Sequence, residues 1–211
     1  MVGVSGQELP IFELPVVLLP GEQLPLHVFE DRYKRMIGHA LEQEEPFGIV
    51  LRDDDGARSI GCTATVEEVL ERFEDGRMNV VVSGGEPFRV LDRFEAPEYP
   101  IGEVEVVDDE ATDADLGTAM EARDAFAEIA ERATGSRPTA EELADTSAYA
   151  IASRIELPHE TKQRLLELRD EEERMGLLAD ALRAVEAALE RAELTADHAR
   201  SNGRVIFEQE T

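Results

Sequence analysis

Tryptophan is absent from the 211 residues, cysteine occurs once, and only two of the 21 basic residues are lysine. Each shortage excludes something. A single cysteine, Cys62, has no partner for an internal disulfide, which fits a reducing compartment. Neither Lys34 nor Lys162 stands in a G-x-x-x-x-G-K-[ST] run, so there is no phosphate loop, and both fall on predicted helices among charges, where neither suits a nucleophilic serine. The longest apolar runs, such as residues 14–20, are far short of the roughly 20 residues that cross a bilayer. No basic segment followed by an apolar one marks the N-terminus as a secretion signal. Positive charge is also scarce: 21 Lys+Arg face 48 Asp+Glu, a formal charge of −27. Such a chain repels nucleic acid and anionic membranes unless its bases gather on one face, and no such gathering is visible. A cytoplasmic chain without nucleic acid or membrane as partner is expected.

What is present changes in kind near residue 110. The first 110 residues hold 15 of the 17 valines, 8 of the 10 prolines and 11 of the 15 glycines, whereas the remainder holds 21 of the 25 alanines. Valine with Gly/Pro punctuation suits strands and tight turns, and alanine with Leu, Glu and Arg suits helices. The expected fold class is therefore α+β, with a β-rich domain over 1–110, a helical bundle over 111–200 and a tail over 201–211. The acidic stretch 108–115 is the expected boundary, because no side chain in it could anchor a core.

Strands are predicted over 11–14, 16–19, 47–52, 59–73, 77–82, 88–94 and 99–107. Asp55-Gly56 and Asp75-Gly76 are hairpin signals, and Gly84-Gly85 followed by Pro87 reads as a break. Phe29, Tyr33, Met36, Ile37, Ala40 and Leu41 recur at three- and four-residue spacing, predicting one helix over 30–43 inside the β pattern. Further helices are predicted over 113–133, 139–154, 158–168 and 171–198. Thr139 with Glu142 and Asp170 with Glu173 supply start signals, and Pro158 suits a first turn. Met175, Leu178, Leu182, Val185 and Leu189 form one seam along the last helix, and residues 204–207 have strand character.

Little of this composes a reactive site. His27, His39, His159 and His198 include no pair at metal-ligand spacing, and Asp53-Asp54-Asp55-Gly56 lacks the alternating acids of a calcium loop and reads as a solvated turn. Cys62 follows Gly61 in a predicted strand and reads as a buried hydrophobe. No catalytic residue, metal or cofactor is expected.

Three segments resemble the Lon protease N-terminal domain family. They are LPIFELPVVLLPGEQLPLHVFEDRYKRMIGHAL at 9–41, GCTATVEEVLERFEDGRMNVVVSGGEPFRVL at 61–91 and SRIELPHETKQRLLELRDEEERMGLLADAL at 153–182. The resemblance implies a PUA-like β pseudo-barrel with one packed helix, then a helical bundle, in a form without the ATPase and peptidase domains. It implies a non-enzymatic module that holds unfolded or degron-bearing proteins, as an adaptor to an ATP-dependent protease or chaperone or alone. Phe29 just before the first helix, Tyr33 and Met36 on it, and Tyr99 between Pro97 and Pro100 are the candidate peptide-binding residues. The alternative is RNA binding, as PUA-like barrels elsewhere contact RNA.

Overall fold

A computed structural model describes residues 6–110 and 116–202. Its elements run β1 (Gln7–Leu14), β2 (Gln23–Val28), α1 (Asp31–Gln43), β3 (Phe47–Asp53), β4 (Gly56–Arg72), β5 (Met78–Glu95), β6 (Pro100–Val106), α2 (Leu116–Thr134), α3 (Ala140–Leu143), α4 (Ala148–Ala152), α5 (His159–Glu167) and α6 (Glu171–Asn202). The predicted tail strand at 204–207 lies outside the described residues.

Five strands close a ring. β1 runs parallel to β3 and antiparallel to β6; β6 pairs with β5, β5 with β4, and β4 with β3. Parallel neighbours need a crossover, and α1 lies within the one that joins β1 to β3. The interior of the ring is small. Leu9, Ile11, Val50, Phe88 and Val104 fill it, and glycines make room for the Phe88 ring. A Cβ on Gly48 would lie 2.5 Å from Phe88 Cζ, and one on Gly61 would lie 2.4 Å from the Ile49 carbonyl oxygen. These side chains pack the interior closely.

The larger core lies on the opposite face of β1, β3 and β4. Phe12, Phe47, Ile49, Leu51, Ile60 and Cys62 meet Tyr33, Met36 and Ile37 from α1, and the same cluster runs on through Leu157, Leu165 and Leu166 to Met175, Leu178 and Leu182. β3 is therefore buried on both faces, which explains its unbroken apolar sequence FGIVL. The two chemistries that meet near residue 110 share one contiguous core.

Polar contacts reinforce that joint. Lys162 on α5 pairs with Glu22, and the Gln163 Nε2 donates to the Ile60 carbonyl at 3.2 Å. Residues 108–110, the described part of the acidic stretch, are tethered. Arg174, only 1% exposed, holds the Asp109 carboxylate in a fork, donates to Glu171 at 2.9 Å and to the Tyr149 hydroxyl at 3.0 Å, and lies 4.5 Å above the Tyr149 ring. Arg169 donates to the Asp108 carbonyl at 3.1 Å and its own carbonyl accepts from Glu110 N–H at 2.8 Å.

Several elements depart from the sequence reading for definable reasons. Residues 16–19 form no strand, although Val17, Leu18 and Leu19 are all buried. Their loop is instead clamped by bonds from Gly21 N–H to the Gly84 carbonyl and from Gly84 N–H to the Glu22 carbonyl, at 2.8 and 2.9 Å. A Cβ on Gly84 would sit 2.0 Å from the Leu19 oxygen, so that glycine permits the contact. β2 tolerates Pro25 because it lies at a sheet end, bonded only to β5. Gly84-Gly85 and Pro87 do not interrupt β5; they coincide with a register shift opposite residues Cys62 to Ala64 on β4, a bend in one long strand. The helix predicted over 139–154 is two short ones, because Ser147 caps α4 by accepting from Ala150 N–H at 3.3 Å.

The Thr139–Glu142 capping box and the glycine turn at Gly76, φ +83°, form as read.

We propose that the division near residue 110 separates two kinds of element within one cooperative unit. Leu182→Ala, which empties a fully buried position shared by the common core, should cost about 2–5 kcal/mol. Calorimetry should show one transition shifted as a whole; a second transition at the original temperature would restore independent cores.

Candidate functional site

With the ring filled, any partner must meet the outer surface. Two sheet edges are open among the described residues: the outer side of β2, and β4 beyond Ala64, which pairs only with β5. Both resist strand addition. Pro25 removes an N–H from the first, and the second carries Glu67, Glu68 and Glu71 with two register shifts.

Between barrel and bundle, a cleft of ≈ 780 Å³ opens between the β3–β4 turn and α5. Its walls are charged: Arg52, Asp53, Asp54, Asp55, Arg58 and Glu160 are among them. Arg58 donates to Asp53 at 2.6 Å and the Asp55 N–H donates to the same carboxylate at 3.0 Å. These bonds, the arginine first, hold the Asp53 carboxyl below its usual range. The acidic turn is thus internally satisfied, and the cleft suits water and charged groups better than apolar side chains.

An apolar concavity lies in the bundle. A groove of ≈ 580 Å³ runs between α2 and the segment 137–144, with Ala127 and Leu143 on its floor and Pro138, Ala140 and Ala144 along its walls. Met120 stands at its rim, 60% exposed. Arg123 braces the wall by donating to the Thr146 carbonyl at 3.1 Å, and Arg137 pairs with Glu128 and Glu131. Methionine adapts its shape to varied apolar partners, so a rim of this kind accepts side chains without fixing their identity.

The four residues anticipated from sequence do not gather there. Tyr33 and Met36, 3% and 1% exposed, are core residues that hold α1 to the sheet, and Tyr33 packs on Phe12 with ring centroids 4.0 Å apart. Their stripe is the buried face of an amphipathic helix, which leaves no surface for a peptide. Phe29 is exposed beside His27, and Tyr99 is half-buried with its ring 6.3 Å from His39. Met120 escaped the sequence reading because an isolated methionine on an alanine-rich helix gives no periodic signal.

Cys62 is fully buried, and burial pushes its thiol up to about 12. Among the described residues, no three His, Cys, Asp or Glu side chains converge as a metal site would require, and no helix is long and apolar enough to cross a membrane.

Against known proteins, the model of the ATP-dependent protease La (LON) substrate-binding domain matches residues 8–184. The chain belongs to the Lon substrate-binding domain family. Curated relatives include the Lon protease of Paraburkholderia phytofirmans, 28% identical over 195 residues, and Lon protease 2 of Myxococcus xanthus, 28% identical over 193. Those alignments take in 82% and 83% of this chain but 24% and 23% of the relatives, so the Lon-type chain spans about a quarter of their length. The fold agrees with a Lon N-terminal domain protein from Xanthomonas campestris, with TM-score 0.63 and 24% identity over 82% of this chain and 96% of that one. It agrees as well with the N-terminal domain of a Mycobacterium avium complex Lon protease, with TM-score 0.64 and 23% identity over 83% and 98%. The Lon-type pseudo-barrel with its packed helix, followed by helices, is thus the fold expected from sequence.

Two measurements follow. The Cys62 thiol should resist a thiol reagent at pH 8 in the native state and react at once in denaturant; rapid native labelling would contradict its burial. On α6, burial, then a hydrogen bond and charge repulsion from Glu128, raise the Glu186 carboxyl pKa, with Arg132 opposing. Because the folded-state value is the higher one, this stabilisation is complete below the unfolded pKa and is lost as pH rises through the folded one. Glu186→Gln should therefore flatten the loss of stability between acid and neutral pH in urea titrations, and an unchanged slope would refute that role.

Proposed function

We propose that this Lon-type domain is a non-enzymatic protein-binding module of the cytoplasm. It holds exposed apolar segments of unfolded or degron-bearing proteins and presents them to an ATP-dependent protease or chaperone. The α2–α3 groove carries the reading: it is open, apolar, and rimmed by an exposed methionine in a strongly acidic chain. Family membership supports the class of partner, since the family is defined by substrate binding. The interior of the barrel is packed and both open sheet edges are blunted, which leaves side-chain capture in a groove as the favoured mode.

The test compares retention of unfolded and native forms of several proteins on the immobilised chain. Unfolded forms should be retained and native forms should pass. Met120→Glu replaces an exposed side chain, so it should shift stability by no more than about 0.5 kcal/mol while weakening retention about tenfold, or about 1.4 kcal/mol. Equal retention of both forms, or indifference to Met120→Glu, would overturn the proposal. Co-purification of an ATP-dependent protease would support the adaptor role, whereas unfolded clients alone would support autonomous holding.

A further inference from the structure

In the barrel half of the fold, the scarcity of positive charge is locally reversed. A groove of ≈ 370 Å³ between α1 and the β4–β5 turn is lined by Lys34, Arg35, Arg72 and Arg77 against one acid, Asp31. The whole chain has 48 acids for 21 bases. Two of the four cations are already neutralised, since Lys34 pairs with Asp31 at 2.7 Å and Arg77 with Asp75 at 2.7 Å. The other two form no ion pair among the described residues: the Arg72 side chain makes no hydrogen bond, and Arg35, within the field of Asp31, donates to the Glu98 carbonyl at 3.0 Å.

A second feature points to the same groove. Gly38 lies in the interior of α1, where glycine weakens a helix more than any residue but proline. Nothing lies within 4 Å of the place a Cβ would take, and its φ is not in the left-handed region, so neither packing nor backbone geometry requires glycine there. The missing side chain keeps the groove open.

Phe73 joins the groove to an aromatic shelf. His27 lies 6.1 Å from Phe73 and 6.0 Å from the exposed Phe29, and Arg77 stacks 4.9 Å from the Phe73 ring. We propose that this groove and shelf dock a short acidic segment of a partner polypeptide, with carboxylates on Arg35 and Arg72 and an adjacent apolar residue against Phe29 and Phe73. A guanidinium meets a carboxylate through two parallel hydrogen bonds, and an exposed phenylalanine offers apolar area beside it. A short peptide brings one or two charges into the groove, whereas an extended polyphosphate chain would continue onto the acidic surface around it. The site is separate from the α2–α3 groove and does not depend on what that groove holds.

Fluorescence anisotropy on the full chain provides the test, using a fluorescein-labelled peptide with two glutamates beside a phenylalanine and the same peptide with glutamines. The glutamate peptide should bind at least about tenfold more tightly than its glutamine counterpart, and binding should weaken as NaCl rises from about 50 mM to about 500 mM. Arg72→Glu, at an exposed side chain without partners, should abolish the preference. Gly38→Gln should also block binding while raising the melting temperature, which separates occlusion of the groove from unfolding. Equal binding of the two peptides, binding unchanged by either substitution, or tighter binding of a single-stranded oligonucleotide than of the glutamate peptide would each overturn the proposal.

Discussion

A buried guanidinium must be surrounded by acceptors or it cannot stay buried, and Arg174 meets that demand by drawing in groups from four parts of the chain. Asp109 from the segment after β6, Glu171 on its own helix, the Tyr149 hydroxyl on α4 and the Leu168 carbonyl after α5 all face it. Burial alone would lower its pKa, and these partners more than compensate, so the group stays charged. Tyr149 in turn donates to the Leu165 carbonyl at 3.1 Å. Removing the cation would take a donor from the Tyr149 hydroxyl and the Leu168 carbonyl and untie the half-exposed Asp109 from the bundle. The crossing from barrel to bundle is held by this residue more than by any length of linker.

A second constraint acts inside the ring. Phe88 occupies its centre only because Gly48 and Gly61 carry no side chains there. Small barrels either fill themselves or hold a ligand, and this one is filled, which moves recognition to the exterior. The exterior then divides by chemistry: apolar over the α2–α3 groove, charged in the cleft beside α5, and cationic between α1 and the β4–β5 turn. A chain with a formal charge of −27 can afford few such departures from its acidic surface, which makes their positions informative.

Local chemistry was legible wherever it acts locally. Thr139 and Glu142 form their capping box, Gly76 turns its hairpin, and the stripe on α1 faces the sheet, because each depends on neighbours within a few residues. The misread positions depend on distant ones. Leu18 and Leu19 are buried by a loop pinned at Gly84, more than sixty residues away, and β2, which no sequence pattern announced, tolerates Pro25 because no strand lies beyond it. Whether a stripe of apolar residues is core or surface is likewise a tertiary fact: Tyr33 and Met36 lie beneath α1, while Phe29, one turn earlier, stays outside. Met120 carries no sequence signal because its exposure is decided by where α2 meets α6.

The pairing of β1 with β6 has a kinetic consequence. Gln7 stands opposite Val104, so the ring cannot close until nearly the whole first half of the chain has been made. The parallel partnership of β1 with β3 also waits for α1. Contacts so distant in sequence form slowly, because the entropy of closing the intervening loop must be lost before any strand bond is gained. Until β3 has been made, β1 has neither of its partner strands, and its first four residues wait longer still for β6. Pro10 and Pro15, which bracket its apolar centre, are the residues best suited to keep it from pairing with the wrong neighbour while β6 is still to come.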